Sequence, residues 1–134
     1  MDPLEALSAA ECWRLLTEHR VGRIAFTERA LPAILPLNYA VVGGRVMLRV
    51  RAEGLAARLD GQIVAFEIDE VDDDNHAGWS VVVTGAARLL ARVGELARAD
   101  SVPPSWAGED HQTVVAITPG DVQGRRLLPR VGVA

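Results

Sequence analysis

Three apolar runs, Pro32 to Tyr39, Ile63 to Asp69 and Gly78 to Leu90, constrain the fold of this chain more than any other feature. Each reads as a strand too apolar for a sheet with one wet face, which predicts a closed barrel or a sheet buried on both sides. If the last run alternates as a strand, Trp79, Val81, Val83, Ala87 and Leu89 point one way and Val82, Ala86 and Leu90 the other. Both of its faces therefore need cover.

A length of 134 residues predicts a single domain over 1–134 with one enclosed core. Hydrophobic residues make up 49% against 24% charged, which argues against disorder, and no apolar run reaches membrane-spanning length. The start, Met1-Asp2-Pro3-Leu4-Glu5, lacks the basic and apolar stretches of a secretory signal, so a cytoplasmic protein without membrane association is expected. Cys12 is the sole cysteine, which excludes an intramolecular disulfide and a multi-cysteine metal site. A formal net charge of −4 gives no basic excess for neutralising nucleic-acid phosphates. All 14 basic residues are arginine, so Schiff-base chemistry on lysine is excluded and an anion must be met by arginine, backbone amides or hydroxyls.

The spacing of Ser8 and Glu11 marks a helix start at which two side chains reciprocally satisfy backbone amides, and Cys12, Leu15, Leu16 and His19 continue at helical spacing. Strands are predicted at Val21 to Phe26, from Pro32 to Val42, and from Arg45 to Arg51, the last two joined by a tight Gly43-Gly44 turn. In the strand from Arg45, Val46, Leu48 and Val50 face inward and Arg45, Met47, Arg49 and Arg51 outward. A short helix from Gly54 to Leu59, a strand from Ile63 to Val71 and an acidic turn at Asp72-Asp73-Asp74-Asn75 follow. After the long strand, Arg92 to Asp100 has helical character, Pro103-Pro104 stops it, Thr113 to Thr118 is a strand, and Pro119-Gly120 breaks that strand. The class is mainly β with a few short flanking helices.

Several constellations carry no chemistry. His19, His76 and His111 lie in unrelated segments without a second ligand at metal-binding spacing, so no metal is expected. The Asp72 run lacks the ligand spacing of a calcium loop, Cys12 sits in a helical apolar stripe, and Ser80 and Thr84 have no adjacent histidine. Pro36 cannot donate a ladder hydrogen bond, which places its strand at an edge or a bulge. The residues alone leave two readings there: an ordinary prolyl edge, or backbone near Leu37, Asn38 and Tyr39 that meets the polar rim of a planar heterocycle.

Leu35-Pro36-Leu37-Asn38-Tyr39, Val64-Ala65-Phe66-Glu67-Ile68-Asp69 and Gly78-Trp79-Ser80-Val81-Val82-Val83-Thr84-Gly85, taken in order, resemble the flavin-binding split-barrel proteins of the pyridoxamine 5′-phosphate oxidase-like family over nearly the whole chain. The resemblance implies a split β-barrel of the FMN-binding type, a homodimer with cofactor clefts at the junction, and an FMN-dependent oxidoreductase acting on a small-molecule substrate. It favours the heterocycle reading of Pro36, Leu37, Asn38 and Tyr39, and assigns the phosphate end to Arg49, Arg51 and the turn at Gly54. Trp79 and Ser80 belong to a Gly-Trp-Ser-Val segment that lies beside the cofactor in relatives, and Arg125 belongs to a late Gly-Arg-Arg segment. Relatives carry a hydroxyl residue and a lysine where this chain has Val50 and Ala56; Arg51 or Arg58 then takes their place. The alternatives are a deazaflavin coenzyme, or a non-enzymatic flavin carrier or cofactor-free barrel. No catalytic acid is named.

Overall fold

The computed structural model describes residues 4–50, 53–92 and 113–127. In chain order the elements are β1 (Leu4–Leu7), α1 (Ala9–Glu18), β2 (Val21–Glu28), β3 (Leu31–Val42), β4 (Arg45–Val50), α2 (Glu53–Leu59), β5 (Ile63–Asp72), β6 (Ala77–Arg92) and β7 (Thr113–Leu127).

Local chemistry accounts for most of these boundaries. Ser8 caps α1 by accepting a hydrogen bond from the Glu11 amide at 3.1 Å, and Cys12, Leu15 and Leu16 form the buried stripe. The reciprocal half of the cap is replaced, because the Glu11 carboxylate lies 3.3 Å from Arg126 on β7. Gly43 and Gly44 close the β3–β4 hairpin with φ of 59° and 73°, the positive angles expected of them. Asp72 organises the acidic turn by accepting from the amides of Asp74 and Asn75.

All strand pairings are antiparallel, in the order β1-β7-β4-β3-β2-β5-β6, and a further β6–β7 pairing closes the ring. The result is a split β-barrel with β1 attached to the far end of β7. Inside it pack Ile24, Phe26, Tyr39, Leu48, Phe66, Ile68, Val81, Val83 and Ile117, together with Cys12, Leu15 and Leu16 from α1 and Leu55, Ala56 and Leu59 from α2. At about 25 cal/mol per Å² of apolar surface buried, this interior is the main source of stability.

The structure corrects four expectations. Pro119-Gly120 does not end its strand: Gly85 pairs with Pro119 and Thr84 with Asp121, so Gly120 is bulged out and β7 runs on to Leu127. A second shift, between Leu89 and Ala91, leaves Leu89 40% and Leu90 38% exposed instead of covered. Met47 faces away from the interior as expected but is buried, in a second cluster with Val114 and Ala116. β1 was not foreseen, since four residues carry too short a period to read. The expected helix from Arg92 to Asp100 lies, beyond its first residue, outside the described residues, as do Pro103-Pro104 and Arg51.

Candidate functional site

The barrel opens where β3 and β4 part. Residues 31–38 of β3 pair with β2, whereas pairing with β4 begins only at Tyr39 opposite Leu48. Beyond Leu48, β4 continues against β7, with Arg49 opposite Val114 and Val50 opposite Thr113. Residues 31–37 therefore present one strand edge that no strand among the described residues covers. Pro36 lies on it, where a missing amide proton costs nothing. Leu31, Ile34 and Leu35 are 67%, 65% and 39% exposed along the same segment, and Leu37 is half-buried. Asn38, which is buried, and the half-buried Arg49 stand at the fork itself.

Tyr39 does not belong to this edge. Its amide donates to Arg20 O at 2.9 Å, its hydroxyl donates to Leu16 O at 2.6 Å, and its ring packs edge-on to Phe66 at 4.8 Å. Burial pushes its phenol well above the usual range. It is a core residue that ties α1 to the barrel, because a tyrosine in an interior must satisfy its hydroxyl.

The anion-binding expectation is reduced. Val50 and Ala56 are both fully buried in the main core, so neither position presents a side chain to a ligand at the surface. Arg58 is held by Glu28, Nη2 to Oε1 at 2.8 Å. Gly54 is exposed as the second residue of α2, a helix of seven residues. Arg49 is the one member of the expected phosphate group whose side chain is both described and placed at the fork.

Trp79, Ser80 and Arg125 form a second group on β6 and β7, with Ser80 directly opposite Arg125 and Trp79 opposite Arg126. The Trp79 ring lies 5.0 Å from that of His19 in an edge-on contact. His19 is fixed at the end of α1 by a 2.7 Å contact between Nδ1 and Leu15 O, in which a protonated Nδ1 donates.

Between the two groups lies a cluster that the sequence reading passed over. Arg23 on β2 is opposite Pro36 on one side and Glu67 of β5 on the other, and Asp69 is opposite Ser80. Arg23 Nη1 is 3.5 Å from Glu67 Oε1 and 3.4 Å from Asp69 Oδ2. Burial, with the hydrogen bond and charge of Asp69, pushes the Glu67 carboxyl up to about 7 against the pull of Arg23. Two acids at alternate positions, Glu67 and Asp69, in the apolar first part of β5 were the available signal, since they must share one face.

The family pattern of pyridoxamine 5′-phosphate oxidase matches residues 8–126. The uncharacterized protein Rv0080 of Mycobacterium tuberculosis is 41% identical over 128 residues, which cover 91% of this chain and 84% of that one. Among solved structures, the FAD binding protein from Mycobacterium smegmatis superposes with a TM-score of 0.73 at 33% identity, covering 91% of this chain and 98% of the other. A FAD-binding protein from Mesorhizobium loti gives a TM-score of 0.73 at 26% identity, covering 92% and 97%. With the ordered strand motifs and the split barrel already established, these matches place the chain in the pyridoxamine 5′-phosphate oxidase-like family.

Proposed function

We propose that this protein is a flavin-dependent oxidoreductase that works as a homodimer in the cytoplasm on a small-molecule substrate. The observation that carries the reading is the uncovered edge of β3 at residues 31–37, forking from β4 beside Arg49. A flavin ring needs a flat wall with backbone polar groups along one rim, and this edge supplies carbonyl acceptors and the Ile34 amide without a bulky polar side chain over it. Its anionic tail needs a cation, and Arg49 stands where β3 and β4 separate. The residues thus fit the group, with the ring end better provided than the phosphate end. FAD-binding relatives put FAD beside FMN as a candidate, and a deazaflavin coenzyme is the third.

When bound, the flavin supplies electron or hydride transfer. The chain's own residues orient and shelter it: the β3 edge sets the plane of the ring, Arg49 balances negative charge, and exposed Ile34 and Leu35 exclude water. Trp79 and Arg125 lie on β6 and β7, apart from that edge in the sheet order, so in this reading they complete the cleft on the partner copy. Exposed Val21, Leu31, Ile34 and Ile63 supply apolar area for the dimer.

The visible spectrum of freshly purified protein tests the proposal first, followed by titration with FMN, FAD, riboflavin and reduced deazaflavin. A bound oxidised flavin, or saturable binding of one of these ligands, is expected. Arg49→Ala should weaken a phosphorylated flavin about ten- to a hundredfold and leave riboflavin unchanged, because a charge-assisted hydrogen bond is worth about 1.5–3 kcal/mol. Binding of none of the four overturns the reading in favour of a cofactor-free barrel.

A further inference from the structure

The outward face of β2, β3, β5 and β6 carries Val21, Ile34, Pro36, Ala65 and Val82, and into its centre the fold sets Arg23, Glu67 and Asp69. One guanidinium nitrogen serves two carboxylates, at 3.5 Å and 3.4 Å. With all three groups ionised, the cluster keeps one negative charge in excess. The groups that face it from the flanking strands add none: Pro36 lies opposite Arg23 on β3, while Val82 and Ser80 lie opposite Glu67 and Asp69 on β6. The next charge in register, Arg125, is one strand beyond Ser80.

We infer that when two copies associate through this face, each Glu67–Asp69 pair takes up one proton, so that the dimer tightens as pH falls through neutrality. The inference rests on the homodimer proposed above. A two-fold interface brings two copies of the excess charge under one apolar cover, where water no longer screens them. A shared proton removes the excess and leaves each arginine with one carboxylate, whereas two neighbouring carboxylates cannot both stay ionised cheaply. Glu67 is already half-buried and its carboxyl already sits high in the isolated protomer, so further burial drives it in the same direction.

Sedimentation equilibrium of the full chain at pH 6 and pH 8 reads the coupling. Wild type should dimerise at least tenfold more weakly at pH 8. Glu67→Gln, which is neutral at both values, should hold the pH 8 affinity near that at pH 6, and Asp69→Asn should flatten the dependence in the same way. His19→Gln should keep it, which separates the acid pair from imidazole titration. Dilution calorimetry of wild type at pH 8 in buffers of different ionisation enthalpy should show proton uptake approaching one per protomer on association, and much less at pH 6. A dimer whose affinity and proton count ignore pH overturns the coupling and leaves the dimer standing. A protein that stays monomeric throughout overturns both, whereas a pH dependence that survives both acid substitutions overturns the coupling alone.

Discussion

The β6–β7 seam and the edge of β3 both carry apolar runs, yet one is the best-closed part of the barrel and the other its opening. Along the seam, residues from Gly78 to Arg92 find partners from Leu127 back to Thr113, and two register shifts let both strands bend around the core. Gly85 is essential to that bend, because a Cβ there would collide with the Thr118 carbonyl oxygen. Along β3, residues 31–37 have one strand partner, and Leu31 and Ile34 remain about two-thirds exposed. Apolarity therefore marks where surface must be covered, while strand pairing decides whether the chain itself provides the cover.

The largest effect belongs to the seam. Gly85→Ala should destabilise the protein by about 3 kcal/mol or more in urea unfolding, since backbone cannot yield as a flexible side chain does. A loss below about 1 kcal/mol would mean that the bulge at Gly120 absorbs the methyl group and that the seam is softer than its pairing indicates. Next comes the tie between α1 and the barrel. Tyr39→Phe should cost about 1–2 kcal/mol in thermal unfolding, because the Leu16 carbonyl loses its hydroxyl donor in a buried site. Flavin affinity should not change, which sharpens the separation of Tyr39 from the open edge.

A smaller effect is expected at the outward acid pair, and its sign follows from linkage. The folded Glu67 carboxyl titrates near 7 against a reference of 4.5, so folding binds a proton between those values. Stability then falls as pH rises from about 4.5 to 7 and stays lower above that. Glu67→Gln should recover about 1 kcal/mol at pH 8, a figure reduced for the group's partial exposure, and give little at pH 4. The smallest stability change is predicted at the open edge, where Ile34→Glu should alter unfolding by less than about 0.5 kcal/mol while weakening self-association and flavin binding. If Ile34→Glu unfolds the protein instead, the edge belongs to the core and the contrast with the seam fails.

Short-range chemistry was legible except at Pro119-Gly120, where pairing with β6 carried the strand through the expected break. The Ser8 cap, the Gly43-Gly44 turn, the placement of Pro36 on an uncovered edge and the apolar periods of β3, β5 and β6 each follow from a few adjacent residues whose backbone preferences admit few alternatives. The ordered motifs carried the family as well. Less of the site could be read. Asn38 and Tyr39 are adjacent in sequence, yet one stands at the fork and the other holds α1 from inside the barrel.

What the sequence by itself determined is most of the strands, the Gly43-Gly44 and Asp72 turns and the family, because alternation and turn geometry are local properties of the chain. Only the tertiary structure decided that Ala56 points into the core beside Val50, that Arg58 is taken by Glu28, and that Arg23 gathers Glu67 and Asp69 from another strand. Those outcomes depend on ring closure and strand register, which set the distance between residues far apart in the chain. A register shift of one residue would turn each side chain to the opposite face without changing the composition of its strand.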